Sequence, residues 1–419
     1  MMHRDLSIID ILKFASENHS LSEVVSLRTE GDMHRYNYTD CLSRVCKLAN
    51  ALVGLGIKKG DRVATLAWNG YRHLELYYGI SGIGAVCHTI NPRLSPEQML
   101  YIIEHAGDRL LFVDTTFVPI IEKLIPKLPK NLVIIVMASS DDSSTLSDNF
   151  LNYEQLILES SHDIIWPELP ENTAAGLCYT SGTTGNPKGA LYSHRSTVLH
   201  ALTTSLNLGP SLGDGMKVLP VVPLFHVNAW GLPYAAPLTG TSLIFPGPNL
   251  DGASLFDLMD QENVNSAWGV PTVWLGLLEE IRKQERVPSQ FQNVVIGGSA
   301  APKSMIEEFE SLGITVCHAW GMTEMSPVGT QGFLPGSMKK ALSQDEQISK
   351  KCYQGRRVFG VDLKIVDEND NSLPHDGIAS GELYVRGNAI ISGYFKNNEA
   401  TEEAFDKEGW FGTGDIASI

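Results

Sequence analysis

The stretch that decides the reading of this chain is residues 179–189, YTSGTTGNPKG. Thr180, Ser181, Gly182, Thr183, Thr184 and Gly185 crowd hydroxyls and glycines together before the chain delivers one cation, Lys188. Glycine lets a ligand approach the backbone closely, and successive backbone N–H groups form an anion-binding nest. The apolar run 175–178 reads as a strand feeding this loop, and residues 193–206 read as a helix after it. The loop therefore reads as a phosphate cradle. It is not the G-x-x-x-x-G-K-[ST] pattern, because Pro187 precedes the lysine and no Ser or Thr follows it. It contains no G-x-G-x-x-G either. The plain alternative is a flexible Gly/Thr surface loop.

Outward from the loop, residues 35–138 alternate helical and extended patterns. Residues 38–55 place Leu42, Val45, Leu48, Leu52 and Leu55 at helical spacing and stop at Gly56. Short apolar runs at 63–67, 85–90, 110–113 and 132–137 read as strands, and 96–104 as a helix. Residues 139–148, SSDDSSTLSD, read as a polar loop. A second alternating region predicts strands at 217–221, 242–245, 266–269, 293–296 and 315–318, with helices at 272–286 and 303–312. Such alternation argues for parallel sheets. From about residue 355 short strands take over, as at 363–366 and 381–385. The expected fold class is α/β: two parallel-sheet subdomains, 1–170 and 171–330, the second holding the phosphate loop, and a β-rich subdomain over 331–419.

Composition narrows the function. The chain has 419 residues, 43% hydrophobic and 19% charged, which suits a globular enzyme. A net charge of −16 disfavours a nucleic-acid partner. No apolar run reaches membrane-span length, so no transmembrane segment is expected. The opening MMHRDLSIIDILKF mixes charges into its apolar residues, as an amphipathic helix does and a secretory signal does not. Cysteines at 41, 46, 87, 178, 317 and 352 form no C-x-x-C pair, and reduced, buried thiols in a cytoplasmic protein are expected.

Further motifs follow the loop in order: PLFHVNAW (223–230), GGSAAP (297–302), HAWGMTE (318–324), GELYVRG (381–387) and GWFGTGD (409–415). Together with YTSGTTGNPKG they resemble the signatures of the adenylate-forming, AMP-binding superfamily. The sequence is most similar to its medium- and long-chain fatty acyl-CoA synthetase branch, which includes methylthiopropionate-CoA ligases. The resemblance covers nearly the whole chain and corresponds to the family's large N-terminal domain. In the family a hinge and a mobile C-terminal domain with the adenylation lysine follow this point. The expectation is that residues 1–419 alone bind nucleotide and adenylate poorly.

The resemblance implies ATP, Mg²⁺ and coenzyme A as partners of the reaction, and a carboxylic acid as substrate. It assigns the phosphates to Thr180, Ser181, Gly182, Thr183, Thr184 and Gly185, with Lys188 offsetting their charge. Glu324, after Thr323, is implied as the Mg²⁺ ligand with Thr180 near the same ion. A carboxylate beside phosphates is repulsive unless a hard cation bridges them; the plain alternative is a surface glutamate at a helix start. Trp320, where the family usually has Tyr, is implied as the adenine platform beside Gly321, and a buried structural Trp is the competing reading. Gly298, Ser299 and Ala300 are implied along adenine, with His318 and Ala319 on the same side, and Asp415 as the ribose clamp.

His226 is implied to meet the acyl carboxylate or α-phosphate, against the plain reading of a satisfied loop histidine. Amino-acid-activating relatives place Asp there; with His226 a substrate ammonium would be buried unpaired, which favours a plain carboxylic acid. Trp230 resembles an acyl-tunnel gate or is core packing, and Val227, Gly231 and Gly297 are pocket-wall candidates. Two other function classes stay open: a non-catalytic nucleotide-binding module, and a luciferase-like oxygenase using the same adenylate. A homodimer is also implied by the resemblance.

Overall fold

Several helices in this chain start where a side chain satisfies free N–H groups of the first turn. Asn37 accepts from the Asp40 N–H while the Asp40 carboxylate caps Asn37, and this box opens the helix Tyr38–Gly54. Ser95 and Gln98 do the same for Pro96–Ala106, which ends at Gly107 with φ 68°. The structure, a computed structural model, describes residues 1–140, 150–180 and 186–419. The loop residues Ser181, Gly182, Thr183, Thr184 and Gly185 lie outside the described residues, as does the polar stretch from 141 on.

The strands, in chain order, are β1 (Glu23–Leu27), β2 (Met33–Asn37), β3 (Arg62–Leu66), β4 (Val86–Thr89), β5 (Asp108–Asp114), β6 (Val133–Met137), β7 (Leu151–Asn152), β8 (Ala174–Tyr179) and β9 (Gly189–Ser193). Then come β10 (Lys217–Pro220), β11 (Ser242–Phe245), β12 (Ser266–Gly269), β13 (Asn293–Ile296), β14 (Thr315–Gly321), β15 (Val328–Gln331) and β16 (Arg356–Arg357). The last three are β17 (Val361–Val366), β18 (Ser380–Gly387) and β19 (Phe411–Ser418). Among the described residues they form three sheets, ordered β7-β6-β5-β3-β4-β8-β9, β16-β15-β14-β13-β12-β10-β11-β1-β2 and β17-β18-β19. The first two are mostly parallel, and the small third is antiparallel. This is the expected α/β class.

The sheets divide the chain otherwise than at residue 170. β8 and β9, which flank the phosphate loop, close the first sheet, with β8 parallel to β4. β1 runs parallel to β11, so the N-terminal hairpin β1–β2 forms the edge of the second sheet. Sheet membership depends on which strands pair across long stretches of chain, and local patterning carries no record of that. The helix expected at 193–206 is His194–Asn207, preceded by β9, which returns antiparallel to β8. β14 runs three residues past its expected end. It pairs with β13 in parallel through His318 and with β15 antiparallel from Ala319.

The helix Tyr71–Gly82 is buried along its whole length between the two large sheets. A helix apolar or hydrogen-bonded on every side belongs in such a core. Its Tyr77 and Tyr78 hydroxyls reach the carbonyls of Leu224 (2.5 Å) and Pro233 (2.6 Å), tying the first sheet's layer to the second's. The N-terminal helix, Ile8–Asn18, buries Ile8, Ile9, Ile11, Leu12 and Ala15 as its amphipathic pattern requires. Among the described residues no helix is long and apolar enough to cross a membrane.

Candidate active site

The phosphate-loop candidate leaves β8 and returns in β9. Its neck is closed by the Thr180 N–H donating to Lys188 O (2.9 Å) and the Lys188 N–H donating to Thr180 Oγ1 (3.4 Å). Just behind it, the buried Cys178 sulfur lies 3.0 Å from Thr89 Oγ1 and accepts from the backbone N–H groups of Val227 and Asn228. Burial is the largest influence on this thiol and raises its pKa, so it is present as the neutral thiol. One sulfur thus joins the loop's strand to the segment that follows β10.

That segment is strained. Val227, Asn228, Ala229 and Trp230 all have left-handed φ values, 49°, 54°, 45° and 56°. Each such residue costs about 1–2 kcal/mol, and strain of this kind persists only where the surroundings over-determine it. Asn69 anchors the segment that leads into the turn, and Tyr77 meets the turn itself. Asn69 Nδ2 donates to the carbonyls of Pro220 (2.7 Å) and Val222 (2.9 Å), and its Oδ1 accepts from the Leu224 N–H (2.6 Å). The Tyr77 hydroxyl is also 3.1 Å from Asn228 Oδ1. The turn closes at Gly231, φ 83°, where a Cβ would stand 2.7 Å from the His200 ring.

The turn presents His226 and Trp230. His226 is exposed and lines the cavity. Partial desolvation by the protein around it, followed by the charge of Arg93, lowers its pKa below the ordinary histidine value. Trp230 is buried, and its indole covers the turn after β13. A Cβ on Gly297 would stand 3.0 Å from that ring and 3.1 Å from Ala319 O, so glycine is what lets indole and backbone meet.

The third wall comes from β14 and the turn after it. A Cβ on Gly321 would stand 2.0 Å from Pro327 O, a distance no other residue tolerates. Thr323 O accepts from the Tyr192 hydroxyl (2.7 Å). Glu324 is 5% exposed, and its Oε1 accepts from the Tyr394 hydroxyl (2.6 Å). Lys188 Nζ lies 5.2 Å from the centre of the Tyr394 ring. Trp320 Nε1 donates to Asp415 Oδ2 (2.9 Å).

Around one cavity of about 260 Å³ stand Thr180, His226, Val227, Trp230, Gly297, Gly298, Ala319, Trp320, Gly321, Thr323 and Glu324. Met322, Pro327 and Val328 also line it; Met322 lies within the 318–324 motif without an assigned role, and the other two lie outside the motifs. Ser299 and Ala300 are exposed beyond its wall. His318 is 1% exposed and accepts from the Ala301 N–H at Nε2 (3.3 Å), which makes it a support of the turn rather than a lining residue. Lys188 and Asp415 sit at the margin, joined to the cavity through Tyr394 and Trp320. Sequence reasoning missed Asn69, Tyr77 and Tyr394. Their partners are far along the chain, and nothing in their immediate neighbours marks them.

Among the described residues no group of three or more His, Cys, Asp or Glu converges as a cage for a metal. One buried carboxylate, Glu324, faces the same cavity as the Thr180 hydroxyl. That donor set fits a hard cation that arrives with phosphate oxygens and keeps part of its water shell, as Mg²⁺ does.

These sheets and this cavity define the class: the chain belongs to the AMP-binding enzyme family, whose match spans residues 14–395. Over 421 residues it is 47% identical to the medium-chain-fatty-acid–CoA ligase of Ectopseudomonas oleovorans, covering 100% of this chain and 76% of that protein. Over 423 residues it is 44% identical to the 3-methylmercaptopropionyl-CoA ligase of Ruegeria lacuscaerulensis, covering 100% of this chain and 77% of that protein. The fold matches the crystal structure of a long-chain-fatty-acid-CoA ligase from Archaeoglobus fulgidus with a TM-score of 0.86 at 21% identity, over 100% of this chain and 83% of that one.

Proposed function

We propose that this chain is an ATP-dependent acyl-CoA synthetase, an acid–thiol ligase acting on an aliphatic carboxylic acid. A carboxylate oxygen attacks the α-phosphorus of ATP and pyrophosphate leaves. The thiol sulfur of coenzyme A then attacks the acyl carbon, and the bond to AMP breaks. The reading is supported above all by the convergence of Thr180, His226, Trp230 and Glu324 on one cavity. It is supported also by relatives of 44–47% identity that are named as acyl-CoA ligases.

In this reading the residues 180–185 and Lys188 hold the phosphates through N–H groups, hydroxyls and one ammonium. Glu324, with Thr180, would hold Mg²⁺, which when bound offsets charge on the phosphate oxygens. Trp320 carries the adenine, with Gly298 and Ala319 beside it, and Asp415 accepts from the ribose hydroxyls. His226, with its lowered pKa, is a neutral imidazole at pH 7 and orients the carboxylate or α-phosphate by hydrogen bonding. Trp230, Val227 and Gly297 bound the acyl group. The rate gain on this account comes from positioning and charge stabilisation. The expected compartment is the cytoplasm and the expected assembly a homodimer, which cell fractionation and light scattering test.

The test is an acid panel with the full-length gene product, following AMP and pyrophosphate with and without coenzyme A. The panel runs from acetate through 3-methylthiopropionate and octanoate to palmitate, with aryl and amino acids alongside. Coenzyme A-dependent AMP release with an aliphatic acid is the expected result. A short thioether acid is the second reading, favoured by the 44% relative and by the indole pressed on Gly297. Tight Mg·ATP binding with no AMP from any acid would replace the ligase by a nucleotide-binding module.

A further inference from the structure

We propose that Tyr394 is a positioning residue for Glu324 and Lys188, setting the metal-binding carboxylate and the phosphate-loop cation with one side chain. The proposal rests on the reading of Glu324 as the cation's ligand.

Glu324 is gripped at both ends by one short segment. The Ile391 N–H donates to Glu324 O (2.9 Å), and the Tyr394 hydroxyl donates to Glu324 Oε1 (2.6 Å). A free glutamate side chain samples several rotamers. A bond to Oε1 selects one of them and, among the described residues, leaves Oε2 without a hydrogen bond.

The same ring serves the loop. Lys188 Nζ lies 5.2 Å from its centre, so the edge of the ring meets an acid and its face meets a cation. The ring in turn is held where it is. The Tyr394 N–H donates to Thr401 Oγ1 (2.9 Å), and Thr401 Oγ1 donates to Asn397 O (2.7 Å). The Phe395 N–H donates to the carbonyl of Gly189 (2.8 Å), the residue at which the phosphate loop enters β9. Lys396, with φ 50°, turns the chain so that its ammonium donates to His105 O (2.9 Å). The segment 391–396 therefore ties the start of β9 and the Glu324 turn into one frame. Outer partners of metal ligands act by fixing the ligand's orientation, and their loss costs about 10- to 100-fold in metal affinity.

The test compares the wild-type protein with Tyr394→Phe and Tyr394→Leu. The probe is α,β-methylene-ATP, which cannot be cleaved at the α-phosphorus. Its affinity is measured by calorimetry in EDTA and across a Mg²⁺ series, and bound Mn²⁺ is counted by electron paramagnetic resonance. Tyr394→Phe is expected to raise the half-saturating Mg²⁺ concentration about 10-fold or more and to leave affinity in EDTA at the wild-type value. Tyr394→Leu, which also removes the ring beneath Lys188, is expected to weaken binding in EDTA by about threefold. Unchanged metal dependence in Tyr394→Phe, or equal losses with and without metal as a mere brace would give, overturns the proposal alone. No metal dependence in the wild type overturns the reading of Glu324 and the proposal together.

Discussion

The indole N–H of Trp320 donates to Asp415 Oδ2 at 2.9 Å, across 95 residues of chain. It links the end of β14 to β19, so the proposed adenine platform and the proposed ribose clamp hold each other. A tyrosine at 320 would put a phenol there instead, and the indole nitrogen supplies the donor that positions the carboxylate.

Trp320→Phe keeps an aromatic face and loses that donor. KM for ATP should rise about 3- to 10-fold, the worth of one hydrogen bond, with KM for the acid unmoved. Steady-state kinetics with each substrate varied in turn checks it, and an equal rise in both constants would count against the clamp.

Glu324→Gln keeps an oxygen for the Tyr394 hydroxyl and removes the charge. The melting temperature should move little, while ATP–pyrophosphate exchange falls by about 100-fold or more, the scale of losing one preorganised charge interaction. Exchange at the wild-type rate would remove Glu324 from the site.

Gly297→Ala places a methyl 3.0 Å from the Trp230 indole and 3.1 Å from Ala319 O. Either the indole moves or the acyl space shrinks. KM for octanoate should rise about 10-fold, a change of roughly 1.4 kcal/mol within the range for overpacking, and acetate should be less affected. Trp230→Ala in the same chain should restore the longer acid. Equal effects on acetate and octanoate would show that neither residue bounds the acyl group.

Three buried histidines give the stability a pH slope. Burial lowers the pKa of His73 and His194 to about 4 and that of His200 to about 3. Unfolded, each binds a proton below its ordinary value of 6.5, while the folded form stays neutral until its lowered pKa. Stability is therefore complete above that ordinary value and falls as the pH drops from there towards 4, by at most about 1.4 kcal/mol per pH unit for each histidine. His200 Nε2 accepts from the Val328 N–H (3.1 Å). His200→Gln keeps an acceptor without a titrating group, and should flatten denaturant-melt stability between pH 6.5 and 5 relative to the wild type.

Much of the element order was legible. The predicted strands at 242–245, 266–269 and 293–296 coincide with β11, β12 and β13, because parallel strands buried on both faces read as short continuous apolar runs. Gly56 marked a helix end, since it adopts the positive φ that follows a last turn. β9 was not legible. Its five residues, Gly189–Ser193, are too short to show a pattern, and they adjoin a loop. The motifs named most of the residues that line the cavity; of the three others that the resemblance sets along adenine, Ser299 and Ala300 are exposed and His318 is buried beneath the turn.

The sequence by itself determined many of the elements, the phosphate-loop candidate, the family and the choice of small residues at Gly297 and Gly321, because each is written in local side-chain volume, spacing and backbone freedom. Only the tertiary structure decided that the strands flanking the phosphate loop belong to the first sheet and the β1–β2 hairpin to the second. It alone showed Asn69 anchoring the segment that leads into four left-handed residues, Tyr77 meeting Asn228 among them, and Glu324 and Lys188 meeting on Tyr394. The physical reason is that these are pairings between groups remote along the chain. A hydrogen bond or a sheet register at long separation is selected by the packing of the whole core, and no residue's neighbours in sequence encode it.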